Sequence, residues 1–467
     1  MTIPTPHIND LIHQTAASVE AAIPIAERDL RRPVFHFRPP AQWMNDPNGT
    51  IYHNGYYHLF YQFNPYHDTW ATMHWGHARS RDLVSWEHLP IALYPAQELG
   101  EEHCFSGCAY VDAQLGPMLF YTSMGRELPE QWVAVGDAEW LTWSRPAANP
   151  VLNMAAHQGI EVNEWRDPFI FHAAGRTLMV LGGKIGAEPV TLIYEKGADA
   201  LTWTYQGVLF RHPRTNFTSL ECPNFFKLRD TWVLLDSPFG PVEYFMGAFD
   251  PATLTFAPTS QGLVDHSSHF YATNLFCEDH GRTILVGWIR GFASGNGWNG
   301  CLSLPRMLSL DDDGALRQHP LPALQQLRGA PLTCTPILLQ NANQRVKSDN
   351  GQQLEILAQF ERGDAQQFGL KVRSSQDGNR AVTISYDGRE LDVAGIKFPV
   401  ALTPQDATLT LHIFLDRAVL EVFVNDGRAC ATAVLDAPIE DQGVEVFAQG
   451  GHVTMTQLTI WEMQSIW

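Results

Sequence analysis

From about Pro33 to Leu310 the chain alternates short apolar and aromatic runs with turns built from Gly, Pro, Asn and Asp. Gly55–Phe63, Ala109–Val111, Pro117–Thr122, Thr177–Leu181, Thr191–Tyr194, Thr231–Leu235 and Thr283–Trp288 are such runs. Runs this short, punctuated by turn formers, predict strands and an all-β region. Beyond residue 335 the texture changes to strict alternation, as in Leu354-Glu-Ile-Leu-Ala-Gln-Phe360 and Leu409-Thr-Leu-His-Ile-Phe414. Asp377-Gly378, Asp387-Gly388 and Asn425-Asp426-Gly427 separate these segments, which predicts a β-sandwich of about 130 residues. Residues 9–30 carry a ragged helical stripe (Leu11, Ile12, Ala16, Val19, Ile23) with Asn9 or Asp10 as the cap, and predict a packing arm.

A loose repeat runs through the first region. Asp82-Leu-Val-Ser-Trp86, Glu139-Trp-Leu-Thr-Trp143 and Asp199-Ala-Leu-Thr-Trp203 place their last Trp at 86, 143 and 203, intervals of 57 and then 60 residues. That period suits propeller blades of four strands, and the region has room for about five. The expected organisation is a helical arm at 1–32, a five-bladed β-propeller at 33–320, a linker at 321–335 and a β-sandwich at 336–467.

Composition narrows the function. With 45% hydrophobic and 17% charged residues in 467, the chain is globular and large enough for two domains. A formal net charge of −19 with no basic stripe argues against nucleic acid. Seven scattered Cys complete neither a disulfide framework nor a zinc site. Reduced thiols and no membrane-length apolar run suggest a cytoplasmic protein, monomeric or homodimeric. His74-x-x-His77 lacks a third ligand nearby, and Asp311-Asp312-Asp313-Gly314 lacks the glutamate that ends a calcium loop, so no metal is expected.

Trp43-Met-Asn-Asp-Pro-Asn-Gly49 holds a carboxylate in a tight turn between aromatic segments. Pro47 fixes its own φ and drives Asp46 out of the helical region. Two more acids stand beside proline in the same way, Asp167 in Arg166-Asp-Pro168 and Glu221 in Glu221-Cys-Pro223. Aromatic faces, amides and paired carboxylates suit a sugar site, because cleaving a glycosidic bond takes one carboxyl group at the anomeric centre and another at the leaving oxygen. Arg166 would keep Asp167 ionised. Phe225 and Phe226 suggest an apolar pocket that raises the Glu221 pKa, as a general acid needs. Asp46, among amides, would stay ionised.

Taken in order, these segments resemble glycoside hydrolase family 32, the invertase and fructanase group. Tyr61-Gln-Phe-Asn-Pro65, Met73-His-Trp-Gly-His77, Phe105-Ser-Gly107, Phe270-Tyr-Ala272, Trp298-Asn-Gly300, Leu304-Pro-Arg306 and Leu420-Glu-Val-Phe-Val-Asn-Asp-Gly427 extend the match to the C-terminal region. The resemblance implies a propeller with its active site at one end of the axis, followed by a sandwich. It makes Asp46 the nucleophile, Glu221 the general acid/base and Asp167 the transition-state stabiliser. Asn45, Gln62, Trp70, Ser106 and Arg166 would line a fructose subsite, with Trp43, Trp75 and Phe105 as its aromatic wall. The implied reaction is hydrolysis of sucrose and short fructo-oligosaccharides with retention through a covalent fructosyl-enzyme, without a cofactor. The alternatives are fructosyl transfer, an exo-acting inulin or levan hydrolase, and a silent fructoside-binding protein. His269 and Asn224 depart from the family pattern and are expected around the rim and leaving-group side. The Gly-rich stretch Gly291–Gly300 is expected to form a mobile loop over the site.

Overall fold

The computed structural model describes residues 6–277, 281–402 and 408–467. The first segment is a helix, α1, at Pro6–Ala26. It starts earlier and stops sooner than expected, so Asn9 and Asp10 lie within it rather than at its start.

Four antiparallel sheets of four consecutive strands follow, each ordered as a meander. They comprise β1 (Gln42–His53), β2 (Tyr56–Asn64), β3 (His74–Ser80) and β4 (Trp86–Leu93), then β5 (His103–Asp112), β6 (Gly116–Met124), β7 (Glu130–Gly136) and β8 (Trp143–Ser144). The third has β9 (Asn163–Ala173), β10 (Arg176–Ile185), β11 (Glu188–Lys196) and β12 (Trp203–Arg211); the fourth has β13 (Glu221–Leu228), β14 (Thr231–Ser237), β15 (Glu243–Asp250) and β16 (Thr255–Leu263). A fifth sheet begins with β17 (Phe270–Cys277) and β18 (Thr283–Ile289). Two short strands come next, β19 (Trp298–Asn299) and β20 (Cys301–Leu302); β19 pairs in parallel with β1, and β20 pairs with β18.

The first strands close a ring. β1 packs on β5, β5 on β9, β9 on β13, β13 on β17, and β17 on β1 again. This is the five-bladed propeller, with five inner strands around one axis. The Trp repeat has a structural meaning here: Trp86, Trp143 and Trp203 each open the fourth, outer strand of a blade. Phe256 takes the corresponding place near the start of β16, which is why the period fades in the fourth blade.

The chain divides into two compact units, one of Met1–Ala26, Arg38–Leu263 and Phe270–Leu302, the other of Glu27–Phe37, Val264–His269 and Ser303–Trp467. In the second unit, strands Arg306–Leu310 and Leu316–Pro320 form a hairpin whose turn is the Asp311-Asp312-Asp313-Gly314 segment. Of the stretch expected as a linker, Pro322–Leu327 is a short 3-10 helix, but Arg328–Cys334 is a strand paired with the C-terminal strand His452–Met463. The ladder hydrogen bonds to that last strand hold it, a partner that local sequence does not reveal.

Beyond the hairpin lies the sandwich, built of a seven-stranded and a six-stranded sheet. The alternating segments fill its core as period 2 requires: Leu354, Ile356, Ala358 and Phe360 lie beside Leu409, Leu411 and Ile413 on the inner face of one sheet, in one buried cluster.

Candidate active site

Every inner strand of the propeller carries the same irregularity. On β1, Asn45 and Asp46 oppose the single residue Gln62; on β5, Phe105 and Ser106 oppose Thr122. On β9, Asp167 and Pro168 oppose Leu181; on β13, Cys222 and Pro223 oppose Asp236; on β17, Ala272 and Thr273 oppose Gly287. A bulge of two residues against one bends the strand and re-aims its side chains. Proline supplies the cause in three cases, since Pro47, Pro168 and Pro223 have no N–H for the ladder. Asp167 and Cys222 take φ values of 65° and 49°, a left-handed backbone at the first residue of these two bulges. A cavity of about 10 Å³, lined by residues of all five bulged strands, marks where they converge.

The bulges bring the predicted polar residues together. Asp46 Oδ1 accepts from Asn45 Nδ2 at 3.1 Å, and Oδ2 accepts from Ser106 Oγ at 2.5 Å and Gln62 Nε2 at 3.3 Å. Asn45 is itself held by Trp43 Nε1, which donates to Asn45 Oδ1 at 2.9 Å, and Asn45 Nδ2 donates to Gln62 Oε1 at 2.9 Å. Asp167 Oδ2 accepts the Cys222 N–H at 2.9 Å, while the Asp167 N–H donates to Thr122 Oγ1 at 3.0 Å. The Cys222 thiol lies between two of the acids, 3.6 Å from Asp46 Oδ2 and 3.7 Å from Asp167 Oδ2.

Glu221 is held differently. Arg166 Nη2 donates to its Oε1 at 2.8 Å, and Tyr271 OH lies 2.7 Å from its Oε2. Its surroundings are therefore a guanidinium and a phenol rather than the apolar pocket expected from Phe225 and Phe226. Phe225 packs on Phe171 and Trp232, within the blades.

The electrostatics also reverse part of the expectation. Desolvation, reinforced by Glu221 and only partly offset by the Ser106 hydrogen bond, pushes the Asp46 carboxyl up to about 6. Burial pushes Asp167 up to about 7; Arg166 works against that rise, and the charges of Glu221 and Asp46 add to it. Burial and the Glu221 charge push the Tyr271 phenol well up, so it remains a neutral donor.

Trp43 and Phe105 are partly exposed, and Trp70 is 51% exposed. Trp70 stacks on His103 at 5.2 Å, and Trp43 meets Trp288 edge-on at 5.7 Å. Trp75, expected in the same wall, is fully buried and donates from Nε1 to the Phe105 carbonyl at 3.1 Å, so it braces the wall from behind. Asn224 is not at a rim; it is 2% exposed on β13 and accepts from Thr273 Oγ1 at 2.8 Å. His269 bonds locally to Ser267. The Gly291–Gly300 loop is tied down rather than loose, with the N–H groups of Gly295 and Gly297 both donating to Asp68 Oδ2. Among the described residues no group of three or more His, Cys, Asp or Glu could hold a metal.

The sequence assigns no role to Tyr271 or Cys222, which lie against the acids, or to Ser219, which lies against Arg166. Two of them lie inside the quoted segments Phe270-Tyr-Ala272 and Glu221-Cys-Pro223. Ser219, which accepts from Arg166 Nη2 at 3.1 Å, carries no sequence signal of its own.

Comparison with known proteins shows the family and the fold. Residues 36–320 match the model of the glycosyl hydrolases family 32 N-terminal domain, and residues 323–462 that of the family 32 C-terminal domain. The chain is 30% identical to a sucrose-6-phosphate hydrolase of Escherichia coli over 459 residues, covering 92% of this chain and 94% of that protein. It is 31% identical to a levanase of Bacillus subtilis (strain 168) over 515 residues, covering 98% and 74%. The fold superposes on fructan 1-exohydrolase IIa from Cichorium intybus with a TM-score of 0.86 at 24% identity, covering 93% of this chain and 98% of that one.

Proposed function

The chain belongs to glycosyl hydrolases family 32 and is a glycoside hydrolase; on that premise we propose that it is a retaining β-fructofuranosidase acting on sucrose and short fructo-oligosaccharides. Asp46 attacks the fructose anomeric carbon while Glu221 protonates the leaving oxygen; water, deprotonated by Glu221, then releases fructose from Asp46. Asp167 binds fructose hydroxyls and stabilises the charge that develops on the ring. Asn45, Gln62, Ser106 and Arg166 hold the sugar and the acids, with Trp43, Phe105 and Trp70 against its apolar faces. The mechanism needs the Asp46 and Glu221 carboxyl groups about 5–5.5 Å apart.

The observation that carries this reading is the repeated bulge, which holds Asp46 on β1 and Asp167 on β9 and directly follows Glu221 on β13. The test is fructose release from sucrose by wild type and Asp46→Ala; equal activity in the two would sink the assignment. A panel of sucrose, sucrose 6-phosphate, raffinose, kestose, inulin and levan decides the substrate. The phosphorylated sugar is included because relatives are sucrose-6-phosphate hydrolases and because Arg290 sits 4.0 Å over the Tyr271 ring, beside the acid. Kestose-type products at high sucrose would turn the reading into fructosyl transfer.

A further inference from the structure

We propose that Asp68 is a positioning residue for specificity, fastening the Gly291–Gly300 loop to the loop that bears Trp70 so that the two form one fixed wall beside the donor site. This rests on the fructosidase reading above.

Asp68 lies two residues before the half-exposed Trp70, in the turn between β2 and β3. Its Oδ2 accepts the N–H of Gly295 at 2.6 Å and of Gly297 at 3.0 Å, across 227 and 229 residues of sequence. A loop with Gly at 291, 295, 297 and 300 has many accessible conformations, and ordering it needs an external partner. A carboxylate accepting two backbone N–H groups is such a partner, and a strong one.

Both loops then reach the nucleophile strand. Gly297 O accepts the Gln42 N–H at 2.7 Å, and His67 O accepts the Trp43 N–H at 3.1 Å. Trp298 and Asn299 pair with Gln42 and Trp43 in the same place. Trp43 in turn bonds Asn45, which bonds Asp46. The outer side of the loop is closed by α1. Ala22, Ala26, Ala41 and Trp298 form a buried cluster, and a Cβ on Gly297 would stand 3.1 Å from Ile25 and from the Ala26 nitrogen. The arm, the loop and the Trp70 turn are thus one braced body, with Asp68 as the polar link between its two loops. That body fixes the position of Trp70 and Trp43 around the sugar, so it acts on how the substrate is held rather than on bond cleavage.

The experiment compares full-length wild type, Asp68→Ala and Asp68→Asn in steady-state kinetics on sucrose and kestose, and in limited proteolysis of the 291–300 loop. The expected result for Asp68→Ala is a KM roughly three- to tenfold higher, more for kestose than for sucrose, with kcat within about twofold. Loop cleavage should accelerate in parallel, and Asp68→Asn, which keeps one acceptor oxygen, should restore part of both. Unchanged KM, or equal loss of kcat on both sugars with a lowered Tm and no rescue by Asn, would overturn the proposal. Wild-type protein that turns over no fructoside would overturn the fructosidase reading and with it the specificity role. The proteolysis comparison would even then decide whether Asp68 holds the loop.

Discussion

Two groups of three carboxylates, one partly exposed and one fully buried, behave in opposite ways in this molecule. In the propeller unit, Asp46, Asp167 and Glu221 share one cation, Arg166, and its guanidinium bonds Glu221 and Glu164 but neither aspartate. In the second unit, Asp265, Asp416 and Glu421 surround two cations, Arg306 and His36. Arg306 donates to Glu421 and to Asp265; His36 reaches Asp416 Oδ2 at 2.9 Å and Glu421 Oε1 at 3.0 Å. Asp416 also accepts the N–H groups of Val34, Phe35 and His36.

The difference shows in the titrations. Burial wins at the first group and pushes Asp46 and Asp167 up to about 6 and about 7. At the second, burial opposes ionisation of Glu421, but Arg306 and His36 hold it below the usual carboxylate range. Burial likewise opposes the charge on His36, yet its bonds to Asp416 and Glu421 push it up to about 9. Under-compensated acids are poised for chemistry, whereas fully paired ones hold chain segments together.

The sharpest way to break this contrast is to neutralise one acid in each group. Asp46→Asn should lower kcat by about 10⁴-fold while leaving Tm equal or higher, since it removes a poorly compensated charge. Activity assays beside thermal melts check both halves. Glu421→Ala should do the reverse, costing about 3–5 kcal/mol of stability because Arg306 and His36 are left buried without their partner. Denaturant titration measures that loss, and kcat per folded molecule should stay near wild type.

Two pH profiles sharpen the comparison further. The folded-state pKa of His36 is raised above its ordinary 6.5, so its contribution is fully present below that pH and is lost as pH rises through about 9. Stability should therefore fall on the alkaline side by on the order of a few kcal/mol, and His36→Gln should flatten that slope in denaturant titrations. The smallest effect is expected at the site. If Asp46 is the nucleophile and must be ionised, kcat/KM should fall about tenfold per unit as pH drops below about 6. An acid limb near the ordinary carboxylate range would contradict the raised value.

Much of this was legible along the chain. Turn spacing announced a β protein, and the Trp at 86, 143 and 203 marked blades because a bulky residue recurs where each outer strand begins. Asp-Pro and Cys-Pro pairs drew attention to the acids, since proline has no N–H to give a ladder. Arg306 and Glu421 were visible as parts of quoted segments, but not as an ion pair, because they lie 115 residues apart in sequence. Trp75 and Trp70 look equally suited to a sugar in sequence, yet one is wholly buried and the other half-exposed. The Gly-rich stretch reads as loose until Asp68 is found against it, and residues 328–334 read as linker until their partner strand is seen.

The sequence by itself determined the class of fold, the period of the blades and the placing of three acids beside proline turns. Those follow from residue-level properties, namely strand patterning, turn chemistry and the missing N–H of proline. Only the tertiary structure decided which acids are compensated, which aromatic rings stay exposed and which loop is tied down. Those depend on what each side chain meets from distant segments, and both desolvation and hydrogen bonding are set by those neighbours.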